Sequence, residues 1–187
     1  MHMLSLIFSS SLYAAIFLWP TFCWPFSFVC FVPLFLNRFD SYKKAFYDGF
    51  IWSAIAYGLS LGALFDLMYV FGNGWHTYFC ISIFFGLFCV ATVLWFVSVK
   101  FIKTFTRSWF LSWIIATCLY FEWITRYCFY PCIGQLKGYG LACPLITLQK
   151  QAFFLSMLPV FGWSIVRFFL IVFQAGIAFK KKYIKMN

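Results

Sequence analysis

Carboxylates are scarce in this chain. Asp and Glu together number 4 against 14 Lys and Arg, and Glu122 is the only glutamate. Histidine is nearly absent as well: His2 and His76 are far apart and neither has a cysteine pair beside it, so no metal site and no cofactor are expected. Charged residues of both signs make up 10% of the chain, while 65% is apolar, far above the roughly half-apolar usage of soluble domains. A mean hydropathy of +0.91 points the same way. The 8 cysteines do not form the framework of a small secreted domain, because Cys23, Cys30, Cys80, Cys89 and Cys118 lie inside apolar runs, where cysteine behaves as a small hydrophobe. Only Cys128, Cys132 and Cys143 fall near a predicted loop, where a disulfide requires an oxidising compartment.

What is present are apolar runs that approach the ~20 residues needed to cross hydrocarbon. The fold class expected is all-α, a single domain forming a polytopic membrane bundle of about six transmembrane helices, with spans at 4–22, 24–36, 49–71, 78–99, 110–130 and 153–179. The run at 24–36, bracketed by Pro25 and Pro33, is short: it is either a tilted span or a re-entrant piece. Gly58 and Gly62, four apart in the third span, mark either a close helix contact or a chance pair. Trp75 and His76, after the turn at 72–74, have the amphipathic character of a membrane interface belt.

Basic residues sit in short clusters between these runs, which argues against nucleic acid and for topology and lipid contact. Arg38, Lys43 and Lys44 follow the second run; Lys100, Lys103 and Arg107 follow the fourth; Lys180, Lys181, Lys182 and Lys185 lie in the C-terminal tail. Six spans place all three clusters on the cytoplasmic side, with both termini there and the loop at 131–151 outside. A five-span alternative puts some clusters on opposite sides.

The stretch 109–131 holds the most unusual charge in the chain. A carboxylate in hydrocarbon is retained only where it is paired, wetted or useful. Glu122 and Arg126 stand four apart, on one helix face, and are expected to neutralise each other. Two readings stay open for this pair, a bundle-stabilising contact and a substrate-positioning one. Arg167 and Gln174 in the last span are expected to pack or snorkel.

The order of motifs resembles the membrane region of the apolipoprotein N-acyltransferases, enzymes of the bacterial inner membrane. The resemblance rests on FVPLFL (31–36), DGFIWSAIAYGLSLGALF (48–65), VFGNGW (70–75), FEWITR (121–126), GYG (138–140) and LPVFGWSIVRFFL (158–170). Two departures stand out: the family's Glu and Arg are three apart rather than four, and its Gly-Phe-Pro-Trp element is reduced to FYPC (129–132). The resemblance implies transfer of an acyl chain from phospholipid to the N-terminal cysteine of lipoproteins. In that family the catalytic Glu, Lys and Cys belong to a nitrilase-like domain after the membrane helices, and no residue here takes those roles. The expectation is therefore a truncated or split form, with no catalytic residue of its own, a separate nitrilase-like subunit and lipoproteins as partners, and Glu122, Arg126, Trp75 and His76 positioning lipid or substrate. The alternative is a non-catalytic binding or assembly module, or a small transporter subunit with Glu122 as its protonation site.

Overall fold

The computed structural model describes residues 2–69, 75–123 and 152–184, and among these residues every regular element is helical. In chain order they are α1 (His2–Leu18), α2 (Pro20–Cys23), a short 3-10 helix (Trp24–Phe28), α3 (Val32–Phe35), α4 (Tyr42–Tyr69), α5 (Trp75–Thr106), α6 (Trp109–Trp123) and α7 (Ala152–Ile184). At 28, 32 and 33 residues, α4, α5 and α7 rise about 42 to 50 Å. Among the described residues, one stretch, Ile81–Thr106 with a mean hydropathy of 2.3, is long and apolar enough to cross a membrane.

Proline decides how the N-terminal third is built. The expected first span at 4–22 stops at Leu18, because Trp19 precedes Pro20 and is pushed out of the helical region, to φ −130° and ψ 65°. The expected second span at 24–36 is not a continuous helix. It is a 3-10 turn opened by Pro25, an irregular step through residues 29–31, and a single α-turn opened by Pro33. Each of these prolines removes a donor and stands in the first turn of a short helical piece, where the missing N–H is tolerated, so the run is built in pieces. The chain nevertheless returns beside α1: Ser5 Oγ donates to Asn37 Oδ1 at 2.7 Å, and Ser9 Oγ donates to the Cys30 carbonyl at 2.7 Å. Residue 37 thus ends level with the start of α1.

The longer helices pack around this broken piece. α4 runs parallel to α1, since Trp52 Nε1 donates to Ser9 Oγ (3.1 Å) and the Tyr57 ring stands 6.0 Å from that of Tyr13. α5 returns antiparallel to α4, with Tyr57 stacked on Phe88 and Trp52 edge-on to Trp95. α6 reverses again, with Trp95 stacked on Tyr120 at 4.6 Å. α7 is antiparallel to α6, pairing Phe179 with Phe110 at one end and Ser164 with Glu122 at the other. At the centre sits Phe31 from the broken piece, 1% exposed, its ring within 5.7–6.2 Å of Tyr13, Phe35, Trp52, Trp95 and Phe121.

A glycine does allow one close helix approach, but at Gly49 rather than Gly58. A Cβ on Gly49 would stand 3.1 Å from the Val93 Cα and 3.2 Å from Phe96, whereas one on Gly58 meets nothing within 4 Å. The Gly62 side of the expected pair lies outside the described side chains. Backbone cannot step aside as a flexible side chain can, so Gly49→Leu should separate α4 from α5. We expect it to lower stability by about 1–3 kcal/mol, read as a fall in Tm of the detergent-solubilised chain, with Gly58→Leu close to neutral.

Candidate functional site

The interior is polar where the broken piece needs it. Residues 27–31 have lost part of their helical hydrogen bonding, and buried backbone groups without partners are costly. Gln174, fully buried on α7, repairs the gap: its Nε2 donates to the Ser27 carbonyl at 2.8 Å and its Oε1 accepts from the Phe31 N–H at 2.7 Å. Ser9 covers the Cys30 carbonyl, and Trp113 Nε1 donates to the Asn37 carbonyl at 3.2 Å. A second chain of hydroxyls joins α4, α5 and α6, with Tyr120 Oη 2.7 Å from Tyr57 Oη and 2.9 Å from Thr92 Oγ1. Trp95 Nε1 donates to Thr117 at 3.2 Å.

The charged site lies further along the α6–α7 seam. Arg167 is 5% exposed, and its Nη1 stands 3.6 Å from Glu122 Oε1. The same carboxylate oxygen accepts from Ser164 Oγ at 2.5 Å. Arg167 Nε and Nη1 make no hydrogen bond, so the guanidinium is held by charge rather than by a closed set of donors and acceptors. The Glu122 side chain is 33% exposed and forms the outward end of the pair. Glu122 lies 12 residues beyond Phe110 on α6, about 18 Å along the helix axis from the end where Phe110 meets Phe179.

Arg126, the expected partner of Glu122, lies outside the described residues; among the described residues the cation beside the carboxylate is Arg167, from another helix. A helix-to-helix pair ties α6 to α7, which a pair within one helix cannot do. Trp75 is exposed at the start of α5, with its ring 6.1 Å from Phe79. It lies 17 residues from Thr92, the α5 residue level with Tyr120, and Glu122 is two residues nearer the Trp75 end, so about 22 Å of helix separates Trp75 from the Glu122 level. The structure therefore does not bring Trp75 to the pair. The His76 side chain is outside the described set. Among the described residues no group of His, Cys, Asp and Glu is arranged to hold a metal ion.

Arg167 and Gln174, expected to pack or snorkel, are buried and carry polar contacts from α7 to α6 and to residues 27–31. A signal for them exists: Ser164, Arg167 and Gln174 are spaced by three and seven, one stripe on a helix that is otherwise apolar along this length. The stripe lies on the side of α7 that meets α6 and residues 27–31.

Two outcomes test this assignment. Gln174→Leu strands a carbonyl and an N–H, each worth about 1–3 kcal/mol when buried without a partner, and should lower Tm more than Gln174→Glu. Glu122→Gln leaves a buried guanidinium without its countercharge and should destabilise near the low end of the roughly 3–5 kcal/mol typical of a broken buried pair, because Glu122 is partly exposed. Adding Arg167→Gln should restore part of the loss; a double variant whose losses simply add would show that the two side chains are not coupled. No protein-family model, curated protein or solved structure matches this chain.

Proposed function

We propose that the chain is a polytopic membrane bundle that serves as the lipid-side half of an acyltransferase resembling the apolipoprotein N-acyltransferases. The observation that carries the membrane part is the inverted distribution of polarity. Outward side chains are as apolar as the core: Leu4 and Phe8 on α1, Leu87, Val90 and Leu94 on α5, Ile115 and Leu119 on α6, and Phe168, Phe169 and Phe173 on α7 are all exposed. Soluble monomers rarely expose contiguous apolar surface beyond a few hundred Å². The buried positions meanwhile include Ser9, Ser27, Ser53, Thr92, Thr117, Arg167 and Gln174.

Charge supports an orientation. Lys100 Nζ reaches the Asp40 carbonyl at 3.1 Å, Phe39 packs on Trp109, and Phe110 packs on Phe179 next to Lys180, so the clusters after residues 36, 99 and 179 share one end of the bundle. The positive-inside rule assigns that end to the cytoplasm. The broken piece at 24–36 returns the chain to this end, which keeps the orientation argument intact without a continuous second span.

The acyltransferase part is supported by where the family-like motifs fall. FVPLFL is the central broken piece, DGFIWSAIAYGLSLGALF supplies Trp52 and Tyr57 to the core of α4, FEWITR begins with the α6 residues Phe121 and Glu122, and LPVFGWSIVRFFL carries Ser164 and Arg167. These segments meet one another rather than being scattered over the surface. Chemistry is then the task of a nitrilase-like partner, in which a cysteine thiolate takes the acyl group as a thioester and yields it to an amine. A non-catalytic membrane module is the second reading, favoured by Glu122 being held by both Ser164 and Arg167, as a structural carboxylate is.

Co-expression with a nitrilase-like subunit should yield a complex that survives purification and transfers an acyl chain to a diacylglyceryl-cysteine peptide. A bundle that purifies alone, with no gain of transfer, supports the module instead. A reporter fused after Asn187 should be active only in its cytoplasmic form; activity on the outer side overturns the orientation.

A further inference from the structure

The turn between α5 and α6 carries cations that neither the core nor the Glu122–Arg167 pair uses. Lys100 and Lys103 hold their ammonium groups 5.9 and 5.8 Å from the centroid of the same ring, Trp109, which opens α6. Trp109 is half-buried and edge-on to Phe39 at 6.1 Å, so the ring is a fixed platform. Arg107 follows α5 and is exposed, with φ 54°. Its N–H donates to the Lys103 carbonyl at 3.1 Å, the geometry of a left-handed helix cap that glycine or asparagine ordinarily fills. A non-glycine residue there is disfavoured, so the backbone does not explain the arginine; a need for its charge does.

The surroundings leave that charge uncompensated. Lys100 spends one donor on a carbonyl, while Asp40, the exposed carboxylate at this end, is paired with Lys44 at 3.3 Å. Lys103 and Arg107 make no ion pair among the described residues. Lys100 and Lys103 are three apart on one side of α5, and Arg107 follows directly after its last turn. Beside them Phe101 and Phe105 are 54% and 72% exposed, apolar surface at the same height along α5 as the cations.

We propose that this corner, formed by Lys100, Lys103, Arg107 and Trp109, binds the phosphate of an anionic phospholipid in the adjacent leaflet, with its acyl chain on Phe101 and Phe105. Cations around an amphipathic ring at the headgroup level, beside apolar surface, fit a lipid; a soluble polyanion has no use for that surface. The inference rests on the membrane reading above. It adds a lipid site at the end of the bundle opposite to Glu122.

The full chain in neutral detergent, titrated with phosphatidylglycerol and with phosphatidylcholine and read by native mass spectrometry, tests it. A cation in contact with the headgroup contributes about fivefold to anionic-lipid affinity, so Lys100→Gln with Lys103→Gln should weaken phosphatidylglycerol binding about 25-fold. Lys43→Gln with Lys44→Gln removes equal charge from the same end and should change it by less than about twofold. Arg107→Gly relieves the left-handed cap, so it should keep or raise Tm while weakening phosphatidylglycerol about fivefold. Equal losses in the two lysine pairs, no loss in Arg107→Gly, or a single-stranded oligonucleotide that displaces the lipid would overturn the site. Insertion into phosphatidylcholine vesicles without preference for phosphatidylglycerol overturns this inference alone, whereas failure to insert at all overturns the membrane reading with it.

Discussion

Everything in this bundle depends on how the backbone between Ser27 and Phe31 is satisfied. A helix carries its own hydrogen bonds into an apolar interior, but a broken helix does not, and non-helical backbone at such depth is tolerated only when protein groups take over. Gln174 takes over two of those groups with one amide, and Ser9 takes a third. Once capped in this way, the irregular piece can place Phe31 among rings from α1, α3, α4, α5 and α6. The polar residues of the interior are thus the means by which an aromatic core is assembled around a proline-broken segment.

The same reasoning accounts for the charges. With an apolar exterior, an ionisable side chain is stable at the ends of the bundle or in a pair. Lysines and arginines take the first solution at the end shared by residues 38–44, 100–107 and 180, and Glu122 with Arg167 takes the second. The pair is asymmetric: Arg167 is buried, and Glu122 opens outward with Ser164. Among the described residues Ser164 and Arg167 hold the carboxylate. The pair fastens α6 to α7, which the rest of that seam does through apolar contact and small side chains.

Much of the arrangement was legible in the sequence because it follows from one-dimensional pattern. The apolar runs gave the helices, and the basic clusters gave their shared end. Pro25 and Pro33 marked residues 24–36 as either a tilted span or a re-entrant piece, and the interruption follows from their missing donors and fixed φ. Partners across helices were harder to read. Glu122 has a cation four residues away in Arg126, which lies outside the described residues, whereas its contact with Arg167 depends on how α6 and α7 are rotated. Gly58 had the spacing of a close contact with Gly62, yet a Cβ there meets nothing within 4 Å, and it is at Gly49 that the α4 backbone comes closest to leaving no room for a side chain against α5. The choice there is made by helix rotation, set by the burial of Trp52 and Tyr57 rather than by glycine spacing.

The most direct test of this account is amide hydrogen exchange over residues 24–36 in the detergent-solubilised chain, compared with Gln174→Leu. A capped interior segment predicts exchange as slow as in α1 and α4, and a selective increase at 27–31 when the amide is removed. Rapid exchange of 24–36 in the unaltered chain, or exchange indifferent to Gln174, would contradict it.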